Sequence, residues 1–225
     1  KEYRRQRQMC IRDSYNSDGT AFQTILNNTN SINFDSFLAK YSSSGFVQWV
    51  ANTGGVDDDF INSISIDSSG NIYIAGDYKS TSLTFYNSDG TAFQTILNNT
   101  NSINFDSFLA KYSSSGFVQW VANTGGVDDD FINSISIDSS GNIYIAGDYK
   151  STSLTFYNSD GTAFQTKLNN YVSSPIPKTD GYVAKYSSSG FVQWANNISG
   201  SSNDSVRDIT TDSNGNVYIC GNYIS

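Results

Sequence analysis

The sequence predicts an all-β chain assembled from repeated antiparallel strands, and three observations lead there. A 71-residue unit recurs: Tyr15–Phe85 reappears letter for letter as Tyr86–Phe156, and a diverged third copy runs from Tyr157 to Ser225. Within each unit, short apolar runs alternate in period two and are separated by Asp, Ser, Gly and Asn, the residues that close tight turns. Only 15% of the chain is charged while 14% is aromatic, so uncharged hydrogen-bonding groups cover a core large enough to pack.

The elements follow in order, in four strand positions labelled A to D. "INSISID" (61–67) is position A and puts Ile64 and Ile66 on one face. "NIYIAGDY" (71–78) is position B and sets Ile72 and Ile74 against Tyr73 and Ala75. "FLAKY" (37–41) is position C, with Phe37, Ala39 and Tyr41 opposed to Leu38 and Lys40. "FVQWVA" (46–51) is position D, with Val47 and Trp49 opposed to Phe46 and Val50. Apolar residues thus stand on both faces, which predicts small sheets covered on each side by a neighbouring sheet. "DSSGN" and "YSSSG" read as hairpin turns, because Asp bonds its own following backbone and Gly supplies a positive φ. Between B and C lies a long insertion, Ser80 to Asn104, whose runs "LTFY" and "AFQTIL" predict an added hairpin, an unstructured loop of that length being unusual.

Residues 1–14 stand apart. They carry five Lys/Arg against two Asp/Glu, whereas the remainder carries a net charge of −11, and the match between copies stops abruptly at Tyr15. The expected domain organisation is a non-native or disordered segment at 1–14, with a genuine basic arm as the alternative, and an array at 15–225, with copies 15–85, 86–156 and 157–225. The N-terminus lacks the apolar stretch of a signal peptide, and no window approaches the roughly 18 apolar residues of a membrane span. Cys10 and Cys220 are single thiols that imply no disulfide framework. Cys220 stands where the other copies have Ala75 and Ala146 and is read as a small buried residue.

The stretch from "DSFLAKY" through "SGFVQW" and "GGVDDD" to "DSSGNIYIAG" resembles the seven-bladed β-propeller (SBBP) repeat family. The elements D-x-F-x-A-K-Y, S-G-x-x-x-W, G-G-x-x-x-D and D-x-x-G-N-x-Y-x-x-G keep a fixed order in all three copies, with Tyr182 in place of the first element's Phe and Gly200 alone where the pair Gly54 and Gly55 should be. The resemblance covers residues 30 to 225 and implies four-stranded antiparallel blades of a surface or secreted protein. Such proteins usually have no assigned catalytic activity, and the family supplies no ligand. The chain holds two whole blades and two half blades, whereas closed propellers take about four to eight. The expectation is an incomplete, open propeller from a longer chain, or copies that associate through open edges. A β-solenoid is the alternative architecture.

In an antiparallel meander the two tight turns share one rim. The opposite rim receives Asp57, Asp58 and Asp59 in the D-to-A connection, Asp35 at the start of C, Asp77 at the end of B, and the insertion. Copy three keeps only the last of the three consecutive aspartates, which narrows the candidates to Asp59, Asp130 and Asp204, with Asp35, Asp106, Asp180, Asp77 and Asp148 beside them. Carboxylates with loop carbonyls are the donor set of Ca²⁺, so a hard-cation site is one expectation; solvated loop ends and turn caps are the other, since "DDDF" lacks EF-hand spacing.

With no histidine in the chain there is no Ser-His-Asp triad, no Cys-His pair and no H-E-x-x-H zinc site. The acidic body argues against a nucleic-acid partner. Trp49, Trp120 and Trp194 recur once per repeat, as sugar platforms or, by preference, as packing between blades. Three functions stay open. The leading one is a non-enzymatic extracellular or cell-surface module that presents its acidic rim and insertion hairpins to a protein or glycan, with Ca²⁺ as a candidate aid. The others are a purely structural spacer and a carbohydrate-active hydrolase using rim carboxylates.

Overall fold

The computed structural model of the protein describes residues 9–10, 16–20, 25–26, 32–95, 97–99, 103–170 and 178–224, so the expectation for residues 1–14 falls almost wholly outside it. Among the described residues there are strands and no helix. β1 (Met9–Cys10) and β2 (Ile25–Leu26) form a small antiparallel pair. The strands of the array follow: β3 (Ser36–Tyr41), β4 (Val47–Gly54), β5 (Asp59–Ile66), β6 (Ile72–Tyr78), β7 (Ser82–Phe85) and β8 (Leu97–Asn98). The next copy gives β9 (Asp106–Tyr112), β10 (Val118–Gly125), β11 (Asp130–Ile137), β12 (Ile143–Tyr149), β13 (Ser153–Phe156) and β14 (Leu168–Asn169). Copy three contributes β15 (Asp180–Tyr186), β16 (Val192–Ile198), β17 (Asp204–Thr211) and β18 (Val217–Tyr223).

Two complete meanders result. Blade II is β5-β6-β9-β10 and blade III is β11-β12-β15-β16, each antiparallel in the expected A-B-C-D order. Blade I supplies only C and D (β3-β4), and blade IV only A and B (β17-β18). The A-to-B turn shows why the sequence closes where it does. Asp67 Oδ1 accepts from the N–H groups of Ser69 and Asn71, both at 2.9 Å, its Oδ2 accepts from Asn71 Nδ2 and Tyr73 Oη, and Gly70 takes the φ of +78° that the turn requires.

The insertion is a hairpin, as expected, but it is packed rather than presented. β7-β8 does not project from the rim of its own blade; it reaches back and pairs with the outer strand of the preceding one, Thr53 against Phe85 and Gly54 against Thr84. β13-β14 does the same to β10. Leu83 and Phe85 become fully buried there. The physical reason is that the rim end of an outer D strand left bare would be an unpaired edge, and the "SLTF" run has the alternation to pair with its last two residues.

The core lies between blades, not within them. Ile72 and Ile74 of β6 face blade I with Leu38 and Ala51, while Tyr73 and Ala75 of the same strand face Ile132 and Ile135 of blade III. A third cluster joins Tyr144, Ala146 and Val183 of blade III to Val206 and Ile209 of blade IV. Both faces of each complete blade are therefore used, and each buried Ile, Tyr or Phe contributes about 1.5–3 kcal/mol. The sheets do not close into a ring, and the identical copies show the consequence. Phe37 is 59% exposed where Phe108 is 0%, and Ile64 is 53% exposed where Ile135 is 6%. The same open face corrects the expectation for Cys220: it is exposed, because no further blade covers the side of β18 on which Ala75 and Ala146 are buried.

Candidate functional site

The acidic rim is built from three chain segments per joint: the D-to-A connection, the lead into C, and the end of B. Asp59 N–H donates to Phe34 O at 2.7 Å, so strand A of one blade hangs on the lead into C of the blade before. The Asp59 carboxyl is then enclosed. Ser80 Oγ donates to its Oδ2 at 2.7 Å, and the N–H groups of Lys79 and Ser80 donate to its Oδ1 at 3.2 Å. Asp130 repeats the bonds from the Ser151 hydroxyl and N–H. At Asp204 the matching serine would be residue 225, which is not among the described residues, and Oδ2 has no partner there.

Close against this knot lies a second carboxyl. Gly54 and Gly125 leave room for Asp35 and Asp106; a Cβ on either would run into the carboxyl group. Gly55 and Gly126 likewise clear the hydroxyls of Ser80 and Ser151. The glycine pair of "GGVDDD" is thus explained by close approach. The structure brings together Asp35 with Asp59, Asp106 with Asp130, and Asp180 with Asp204. Burial, together with the charge of Asp59, pushes Asp35 up to about 7, and burial pushes Asp59 up to about 6. Burial pushes Asp106 up to about 7, and burial with the charge of Asp106 does the same to Asp130. Asp180 is raised by burial, with the charge of Asp204 adding to it.

Asp77 and Asp148 go elsewhere. Asp77 Oδ1 accepts from Ile132 N–H of the next blade at 2.8 Å and from Ser107 Oγ at 2.9 Å, and its Oδ2 accepts from Asn62 Nδ2. Asp148 Oδ1 accepts from Val206 N–H at 2.8 Å, and its Oδ2 from Asn133 Nδ2 at 3.1 Å. These carboxyls pin one blade to the next. Burial raises Asp77 to about 7 and also raises Asp148.

The remaining aspartates of each triplet are half-buried at the rim. Asp58 Oδ1 accepts from Phe34 N–H at 2.9 Å, and Asp129 accepts from Phe105 N–H and pairs with Lys150 Nζ at 2.9 Å. In copy three Asn203 Oδ1 takes over the same bond, from Thr179 N–H at 3.0 Å, which is why the charge can be lost at that position while the connection keeps its shape. Among the described residues no group of three or more His, Cys, Asp or Glu side chains converges on one point. A hard cation would rest on one carboxyl pair with serine and main-chain oxygens.

Sequence reasoning missed a feature of the same rim. Phe34, Phe60, Phe105 and Phe131 stand in a row, with centroids 6.1, 6.1 and 5.9 Å apart and neighbouring rings tilted by about 36°. Lys79 lies 5.8 Å from the centre of the Phe105 ring and Lys150 5.9 Å from that of Phe131. Ile103 (77% exposed) and Val127 (59% exposed) precede Phe105 and Phe131 by two and four residues, on segments joined by Asn104 Nδ2 donating to Val127 O at 3.0 Å. The signal was present in copy three, where Thr179 and Ser205 replace both ring positions at once. The tryptophans lie on the other side. Trp49 and Trp120 donate through Nε1 to the turn carbonyls of Ser114 and Ser188, and Trp120 meets Tyr73 edge-on at 6.2 Å, so they pack between blades.

Three segments of the chain, 48–77, 119–148 and 193–222, match the SBBP β-propeller repeat model. Each begins in a D strand and ends in the following B strand, so the sequence repeat straddles the joint rather than coinciding with a blade. An uncharacterized WD repeat-containing protein of Acanthamoeba polyphaga mimivirus is 32% identical over 163 residues, covering 70% of this chain and 11% of that protein. The chain therefore spans about a tenth of that relative's length.

Proposed function

For this chain of SBBP β-propeller repeats, we propose a non-enzymatic binding module, carried outside the cell, that engages a protein or glycan through its acidic rim. The observation that carries this reading is the contrast between rims. One consists of hydrogen-bonded turns, those from C to D each exposing a single phenylalanine (Phe46, Phe117 and Phe191), whereas the other joins two segments that expose Ile103 and Val127 together beside Asp128 and Asp129. The extracellular location is part of the proposal and is supported by the resemblance to repeats of surface and secreted proteins. A hydrolytic role is disfavoured because Asp59, Asp106 and Asp130 are buried behind the glycine pairs, where a sugar could not reach them.

The test uses a background without the native thiols, Cys10→Ser with Cys220→Ala. A single cysteine placed by Val127→Cys on the acidic rim, or by Ser115→Cys on the turn rim, is coupled to bulky polyethylene glycol. Binding to a glycan array and to a panel of secreted protein domains is then compared. A rim ligand is lost with the first conjugate and kept with the second; a ligand indifferent to the first rejects the rim, and a blank screen favours the spacer. Ca²⁺ assistance at the carboxyl pairs belongs to the same proposal. Melting in Ca²⁺ against chelator decides it, an unchanged midpoint counting against the ion.

A further inference from the structure

We propose that the phenylalanine row is the seat of an extended polypeptide segment in which apolar side chains alternate with Lys or Arg, an inference that rests on the acidic rim being the binding face. The row is continuous across two joints: Phe34 belongs to blade I, Phe60 and Phe105 to blade II, and Phe131 to blade III. Its three steps of about 6 Å give it a length of at most about 18 Å, within the reach of about five or six extended residues.

The joints do not require these rings. In copy three, Asp204 N–H still donates to Thr179 O at 2.8 Å and Thr179 N–H to Asn203, although neither ring position is aromatic. The flanking groups change with them, Pro177 and Ser201 standing where Ile103 and Val127 would be. Copy three loses the set together while its joint stays, and where the set is kept none of its rings is fully buried, Phe34 (67%) and Phe60 (37%) being exposed and Phe105 and Phe131 half-buried, so it answers to something outside the chain.

Ring geometry and charge select the occupant. A sugar stacks on open aromatic faces, but each inner ring faces a neighbour about 6 Å away, and Lys79 and Lys150 lie over Phe105 and Phe131. The exposed Ile103 and Val127 add aliphatic surface on the same segments, which suits aliphatic side chains. Asp57, Asp58, Asp128 and Asp129 border the row against two lysines, one of them held by Asp129, so the charge complement is basic.

Three fluorescent synthetic peptides of about twelve residues test this by anisotropy: alternating Leu-Lys, alternating Leu-Glu and alternating Ser-Lys. The intact chain is compared with Phe60→Ser/Phe131→Ser, the residue copy three carries, and with Phe117→Ser on the turn rim; circular dichroism confirms that both variants fold. Expected is selective, salt-sensitive binding of the Leu-Lys peptide, at least about tenfold weaker in the double variant and unchanged in Phe117→Ser. Equal binding of Leu-Glu or Ser-Lys, no peptide binding, or indifference to the double substitution overturns the inference. An oligosaccharide bound in a manner dependent on Phe60 and Phe131 overturns it too, while leaving the rim as the binding face. Loss of every rim ligand removes both readings.

Discussion

Replacing Asp77 measures what holds one blade to the next. Its carboxyl is 5% exposed and accepts three donors, of which Ile132 N–H is the critical one. Ser107 Oγ also bonds Asp130 O, and Asn62 Nδ2 also bonds Ile132 O, so both keep a partner if the carboxyl is removed. Asp77→Ala leaves the buried N–H of Ile132 without its acceptor and opens a small void, a cost of about 2–4 kcal/mol. For a chain of this size that is a fall in Tm of about 8 °C. Asp77→Asn keeps an acceptor for Ile132 and Ser107, and the mismatch at Asn62 costs about 1 kcal/mol. The two variants separate further with pH. The folded-state pKa is raised from 3.8 to about 7, so the proton held on folding adds stability that is complete below pH 3.8 and disappears as pH rises through 7. Its upper bound is about 4 kcal/mol. Asn has no such proton, so the loss of Tm between pH 5 and pH 8 should be smaller in Asp77→Asn than in the parent. Differential scanning calorimetry at both pH values reads this directly. Equal pH slopes for parent and Asp77→Asn, or a Tm for Asp77→Ala within about 2 °C of the parent, would refute the assignment of Asp77 as a blade-to-blade anchor.

The intact chain should be most stable in mildly acidic solution. The raised carboxyls Asp35, Asp59, Asp106 and Asp130 lose their contribution as pH rises through 6 to 7, whereas Asp67 and Asp138, held below their usual range by turn hydrogen bonds that outweigh burial, lose theirs as pH falls below about 4; a Tm that climbs steadily from pH 5 to pH 8 contradicts this. Gly125→Ala should unfold the central joint or cost more than about 3 kcal/mol in denaturant melts, since its methyl group has no space beside Asp106; a cost under about 1 kcal/mol would show that the joint yields. Sedimentation velocity should find concentration-dependent association through the open blade faces, reduced by Phe37→Lys, and a strict monomer at all concentrations goes against it.

Much of the fold was legible because its determinants are local. The opposition of Ile72 and Ile74 to Tyr73 and Ala75 states that both faces of strand B are covered, and "DSSGN" contains the acceptor, the donors and the glycine of its own turn. What the sequence leaves open is lateral. "SLTF" marks a strand but not its partner, which turned out to be the preceding blade. Asp35, Asp59 and Asp77 sit at strand ends among polar neighbours, so nothing local distinguishes a solvated cap from a carboxyl that another blade will bury. The phenylalanine row is invisible for the same reason: each ring comes from a separate strand end, and adjacency arises only when blades stack. Cys220 erred in the reverse direction, its burial depending on a neighbour that the described chain does not contain.

The three consecutive aspartates now divide by physical role. The last one, Asp59 or Asp130, is enclosed by a serine hydroxyl and main-chain N–H groups, and its place survives in copy three as Asp204. The middle one fastens the lead into strand C through a single acceptor, a task that Asn203 performs without charge. The first, half-buried, accepts from Asn33 and becomes Ser202 in copy three. Charge is therefore kept at the buried position and lost at the two half-buried ones, the reverse of what a site built to attract an ion through its outer carboxylates would show. The joint fixes the backbone at the rim by hydrogen bonds that do not involve the neighbouring rings. Phe60 or Ser205 can then follow the third aspartate without disturbing it, and the surface above each joint is free to change while the joint beneath it is kept.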